Sequence, residues 1–383
     1  MTTPSNFQEL QNGFYNAFLT GVGFNDGDPV QLLQPSNPLI SGSNADTLLW
    51  QYFNFLPPDS LTASFMLSGG NQFLSNYQGV MSALEAQPNS FASTVGPDCL
   101  AAWQKAIQDG TVKLGSDIGT QFRNWAMFSQ WSKVAVTGAS AITRAFLDPV
   151  FAAQTNVLGY QPAGAAAVNF VPGYTDMTAA LAVAPSRSFS VSQGTWNTSV
   201  TQQWSQSQSS GLFGLWGGSS SQSSISQKFS SGGVSVSANF NHVLQFADGP
   251  GIWYSSAAFG SAFNNPGASP WIAGNPITWG TTFGPGGNME RYTSNVLIVS
   301  GMDVEVVSVA SFTDDEQAQV NNNQGAGMWP FYNSSSSSGM NTTSSFNTSG
   351  NLTVSIKSAD NVPVVVAAWV LPASQYLGHQ QQQ

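Results

Sequence analysis

The chain has 383 residues, of which 41% are hydrophobic, 12% aromatic and only 7% charged, and its net charge is −10 at pH 7. That apolar and aromatic content excludes a disordered chain, and the length allows two domains or one large β domain. The nine basic residues (Lys105, Lys113, Arg123, Lys133, Arg144, Arg187, Lys228, Arg291 and Lys357) include no adjacent pair, so there is no electrostatic footprint for a nucleic acid and no polybasic run for anionic lipid.

Residues 1–150 are expected to form a helical domain. Phe7, Leu10, Phe14 and Phe18 recur at helical spacing behind Ser5 or Asn6 as a cap. Further helices are expected over Asn44–Leu56, Asn71–Glu85, Asp98–Asp109 (ended by Gly110) and Ser116–Leu147, the last broken near Gly138. Asp148-Pro149 closes the region, because a residue before proline avoids the helical basin. Residues 151–187 read as a connector, rich in Gly, Ala and Pro, with a short helical turn at Thr178–Val183.

From Ser188 the hydrophobic period changes to two. The expectation for 188–383 is an antiparallel β-rich, sandwich-like domain, and for the whole chain an α+β fold. Trp196, Thr198, Val200 and Trp204 share one parity; Val234, Val236, Ala238, Phe240, Leu244 and Phe246 form the return arm. Phe189 and Val191 have the opposite parity to the first set, which predicts a bulge near Gly194. Tyr292–Phe312 is a second, buried strand region, and Asn351–Ser358 with Val362–Val370 is expected to pair across a turn at Asp360-Asn361. Residues 249–287 read as an aromatic loop, carrying Trp253, Tyr254, Phe259, Phe263, Trp271, Trp279 and Phe283.

Between Arg187 and Asp248 the only charge is Lys228. The middle of that interval, Gly211-Leu212-Phe213-Gly214-Leu215-Trp216-Gly217-Gly218, is flanked by Ser/Gln runs, the pattern of a long hairpin, 188–246, with an apolar tip at Leu212, Phe213, Leu215 and Trp216. A continuous strand from 188 to 210 would extend roughly 75 Å, far beyond an ordinary strand or a membrane-crossing one. Ser and Gln can line a water-filled lumen without the cost of a lipid-facing cation. In composition and alternation, residues 188–246 resemble the insertion loops of aerolysin-type β-pore-forming toxins. That resemblance implies Phe213, Leu215 and Trp216 as the membrane anchor.

Enzyme motifs fail by counting. The two histidines are His242, inside an alternating strand, and His379, in a glutamine-rich tail, so a His-pair zinc site is not expected. His242 reads as a satisfied, half-buried polar side chain. Asp303 and Glu305 would share one face of a strand about 7 Å apart, which reads as a solvated face before a glycosidase pair. Thr313 with Glu316 is a capping box. The candidate calcium clusters are Asp26/Asp28 and Asp314/Asp315, and neither shows a full loop pattern. The turn Phe283-Gly284-Pro285-Gly286-Gly287 precedes no helix, and the five N-x-S/T sequons are those expected by chance in an Asn/Ser/Thr-rich chain.

One cysteine, Cys99, permits no intrachain disulfide, and residues 1–10 lack a secretory signal pattern. The expectation is a protein made soluble, with no assigned compartment and any export by a non-classical route. The functional expectation is a non-enzymatic, membrane-active protein without cofactor, inserting the 188–246 hairpin after forming a homo-oligomer. The alternative is a self-assembling structural protein, for which scarce surface charge is equally suited. A sugar-binding module resting on the aromatic loop is a third reading.

Overall fold

The computed structural model describes residues 6–25, 27–57, 71–160, 169–195, 197–199, 214–216, 223–332 and 339–378. The fold is α+β, with most helices in the N-terminal half and a large antiparallel sheet in the C-terminal half. In chain order the first half holds α1 (Asn6–Val22), β1 (Val30–Pro38), α2 (Ala45–Asn54), α3 (Phe73–Ser82), α4 (Phe91–Val95) and α5 (Pro97–Gln108). Then come α6 (Ile118–Met127), α7 (Ala135–Ala145), α8 (Pro149–Asn156), β2 (Phe170–Val171), α9 (Tyr174–Leu181) and β3 (Arg187–Ser192). The remainder comprises α10 (Ser224–Ser231), β4 (Val234–Ala247), β5 (Gly249–Pro250), α11 (Ser256–Asn264), α12 (Trp279–Thr282) and β6 (Arg291–Ser311). It ends with α13 (Asp314–Asn323), β7 (Met340–Phe346), β8 (Asn351–Ser358), β9 (Val364–Pro372) and α14 (Ala373–Tyr376).

The spine of the sheet is the 21-residue β6, with β4 along one edge and β3 outside β4. Its other edge is shared end to end by two strands: β9 pairs with 291–299 and β8 with 303–311. The expected pairing of 351–358 with 362–370 is therefore corrected. The two segments do not pair with each other, because β6 is long enough to take both along one edge. Gly301 marks the change of partner. It has a φ of +59°, and a Cβ there would meet Asp360 Oδ1 and the Asn241 side chain. β1, within the region expected to be helical, closes the sheet outside β9, and β7 closes it outside β8. Among the described residues this is one seven-stranded sheet with β2 and β5 as a separate pair, so two stacked sheets are not what the strand order gives.

The burial pattern divides this sheet by its surroundings. β9 and the first half of β6 are buried on both faces, under helices, whereas the second half of β6 and the first half of β4 alternate buried and exposed. α1 lies on the covered side. Phe7, Leu10, Phe14 and Phe18 are all buried, as their spacing predicts, and Phe14 and Phe18 pack against Phe189, Phe331 and Trp329 or Phe240. The aromatic stretch 253–283 divides: Trp253, Phe259 and Phe283 are core, with α11 and α12 formed and Phe259 meeting Phe283 at 5.1 Å, whereas residues 265–278 run as the expected turns and loop.

A second apolar cluster stands apart from the sheet. Phe91, Val95, Cys99, Trp103, Ile107, Ile118, Phe122, Ala126, Ile142 and Ala145 form it from α4 to α7. Cys99 is fully buried there. The expected long helix over 116–147 is two helices, and the break falls at 128–134, with Gly138 inside α7. Gly138 is small for a different reason: a Cβ would lie 2.3 Å from the Phe122 ring. That glycine lets α6 and α7 close into an antiparallel hairpin, with Gly119 facing Thr143 farther along.

Candidate membrane-contact site

The expected insertion hairpin exists at its base. β3 pairs antiparallel with β4 in unbroken register from Arg187↔Phe240 to Ser192↔Ser235. No bulge occurs near Gly194, because the strand ends there: residues 193–195 form a turn, and 197–199 run alongside α1, where the Asn16 side-chain amide donates to the carbonyls of Asn197 and Ser199. Trp196, Val200 and Trp204 lie outside the described residues, as do Leu212 and Phe213. The return arm is helical over α10 before it becomes β4, since Ser223 caps a turn in which Ile225 and Phe229 both face the core.

The described part of the apex is packed onto the body. Leu215 is fully buried and Trp216 nearly so. The Gly214 carbonyl accepts from the Tyr332 hydroxyl (2.6 Å), the Leu215 amide donates to Ser226 Oγ (2.9 Å), and the Leu215 carbonyl accepts from the Trp329 amide (2.9 Å). Trp216 forms a β-bridge with Met328. Two buried side chains and three hydrogen bonds are worth on the order of 5–10 kcal/mol together. In this conformation Leu215 and Trp216 are core residues, and any lipid contact by them requires the apex to open. Lys228, the lone charge of the interval, pairs with Glu316 and stands 5.6 Å from the Phe312 ring.

The other residues singled out in the sequence have local duties. His242 Nδ1 lies 3.0 Å from the Ala184 carbonyl. Asp303 pairs with Lys357 across β6 and β8 at 3.0 Å. Thr313 and Glu316 form the expected capping box at α13, with Asp314 and Asp315 in its first turn. Asp28 accepts from the Asn25 amide (2.8 Å), and Asp26 lies outside the described residues. Among the described residues, no group of three His, Cys, Asp or Glu side chains is placed to share a metal ion. The Trp271 and Trp279 indoles donate to the carbonyls of Ala262 and Phe263, which fixes their rings within the fold.

The exposed apolar tip is elsewhere, at the turn between α6 and α7. Phe128 is 94% exposed, Val136 70% and Met127 54%. No other described stretch of ten residues exposes three large apolar side chains. Trp131 and Val134 are half buried beneath them against the second core. The turn satisfies its own polar groups: the Phe128 amide donates to Asn124, the Val134 amide to Trp131, and the Ser129 hydroxyl to Ala126. Folding therefore places no demand on Phe128 to be aromatic, and its exposure leaves roughly 1.5–3 kcal/mol of burial unclaimed.

The electrostatics of this hairpin differ from those of the chain. Residues 118–147 hold Arg123, Lys133 and Arg144 and no acidic residue, within a molecule of net charge −10. Lys133 sits in the tip itself, where a long side chain can keep its ammonium in water beside buried rings. Sequence reading by adjacency missed the grouping of these cations, because α6 and α7 gather residues 10 to 21 positions apart. The signal that could have found them was the 30-residue interval free of carboxylates. Among the described residues no helix is long and apolar enough to cross a membrane.

A second surface lies on the open half of the sheet. Register places Ser190, Ser237, Glu305, Ser355 and Thr343 in one row across five strands, with Ser192, Ser235, Val307, Thr353 and Ser345 in the next. These side chains point away from the core, giving a face of small hydroxyls with few charges. No known protein family, no curated protein and no solved structure matches this chain.

Proposed function

We propose that the protein is a non-enzymatic, membrane-active protein that meets lipid first through the α6–α7 tip. The observation that supports this is the exposed Met127, Phe128 and Val136 on a hairpin whose residues 118–147 carry three cations and no carboxylate. Apolar rings entering the interface gain hydrophobic burial, and each cation near an anionic leaflet adds about 1 kcal/mol. The described apex residues 214–216 and helix α10 are then stored elements on this reading, held on the body until a trigger overcomes their packing. Insertion of residues 188–246 after oligomerisation is the later step.

The test is co-sedimentation with anionic vesicles. Replacing Met127, Phe128 and Val136 together by Ser should weaken binding about a hundredfold while leaving the circular dichroism spectrum unchanged. Equal binding by that variant refutes the reading. A second reading, self-assembly into a homo-oligomeric sheet or shell, is favoured by the hydroxyl face across β3, β4, β6, β8 and β7. Ordered arrays in electron micrographs of lipid-free protein support it, and monomers at all concentrations oppose it.

A further inference from the structure

Along the α6–α7 hairpin, behind the apolar tip, the two helices enclose an open groove of about 330 Å³ lined by Asp117, Thr120, Arg123, Ser140, Thr143 and Arg144. We infer that this groove binds the phosphate of an anionic lipid headgroup, with Arg123 and Arg144 as its forked donors and Ser140 as a hydroxyl donor. The inference rests on the membrane reading above.

Position on the hairpin carries the argument. Arg123 is four residues from Met127 and Ser140 four from Val136, each about 6 Å along the helix axis, and Arg144 is eight from Val136, about 12 Å, at the outer end of the groove. A tip buried to the acyl boundary therefore sets the groove at the depth where headgroup phosphates lie, since interfacial anchors reach roughly 5–10 Å. Neither arginine forms an ion pair among the described residues. Guanidinium forks match phosphate oxygens bidentately, which a point charge cannot do.

The remaining lining residues define what the groove excludes. Asp117 caps α6, and the Thr120 amide and hydroxyl, with Arg123 beyond them, hold its carboxyl below the usual range. It stays ionised, so the groove carries two positive charges against one negative, a net single positive charge that offsets part of the roughly 1.5–2 negative charges of a phosphate monoester. The Thr120 amide donates to Asp117 Oδ1 at 3.0 Å, and the Thr143 hydroxyl donates to the Ala139 carbonyl at 2.8 Å. Recognition therefore falls to Arg123, Arg144 and Ser140.

Flotation with phosphatidylcholine vesicles, with and without phosphatidate, tests the assignment. Wild-type protein should prefer the phosphatidate vesicles, and the double variant Arg123→Gln, Arg144→Gln should lose about 25-fold in partitioning to them. Its weaker, tip-driven binding to pure phosphatidylcholine should persist. The variant Arg123→Lys, Arg144→Lys should recover only part of the loss, because it restores charge without the fork. Full recovery by lysine, or equal partitioning of wild type and the glutamine variant, overturns the groove assignment and leaves the membrane reading standing. Binding of neither vesicle by wild type overturns both. Arginine-dependent binding of soluble glycerol 3-phosphate without vesicle binding would give the groove to a soluble ester and overturn the lipid assignment. Thermal melts of both double variants verify that the exposed substitutions leave the fold intact.

Discussion

Asp248 sits at the junction of β4 and β5 with both carboxylate oxygens buried and no completed hydrogen bond to either. Burial pushes its pKa up to about 8, and nearby Asp46 pushes the same way, against partial relief from the Gly249 and Val171 amides. The folded protein thus holds a proton that the unfolded chain releases near pH 4. Between those values stability falls as pH rises, and above pH 8 the loss is complete, on the order of 5 kcal/mol at most. Asp248→Asn should match wild type near pH 4 and be more stable at pH 9, as read from urea unfolding midpoints across pH. Nothing in the sequence marks Asp248, since its neighbours Asp46 and Tyr376 are distant in the chain and only the fold brings them near. By contrast, the Thr313–Glu316 cap was legible because both partners lie within one helical turn.

At the level of elements, short-range signals survived and partner choice did not. The 3.6 spacing of α1 and the two-residue alternation of β4 over 234–240 state which faces are buried, and those faces are the buried ones; past His242 the pattern shifts, with Val243 buried and Leu244 half-buried. Alternation cannot state which edge a strand will meet. β8 and β9 therefore looked like a hairpin, while the length of β6 gave each its own stretch of one edge. Composition does not decide the apex, because Leu215 and Trp216 among serines look the same whether they face lipid or a core closed by Met328 and Trp329. A substitution separates the two environments. Trp216→Ala should cost about 3–5 kcal/mol in chemical denaturation, whereas a solvent-facing tip residue would change stability by about 0.5 kcal/mol or less.

Across the whole molecule, the α+β class was legible from the change of hydrophobic period near Ser188, but the partition of the core was not. Helices α1, α2 and α3 bury their apolar faces in the same cluster as the sheet, while α4 to α7 build the second one. Periodicity identifies a buried face without naming what covers it, so both sets of helices carry the same signature. The second cluster encloses Cys99, the chain's only thiol, and burial pushes that thiol's pKa up. A maleimide can reach the sulfur only while the four helices are parted, so its labelling rate is a clock for their opening. Should the α6–α7 turn dip into vesicles as a rigid wedge, alkylation will run no faster with lipid than without. An acceleration on vesicles would instead mean that the bundle unfurls as it lands, turning a single buried sulfur into the molecule's own record of how it meets a surface.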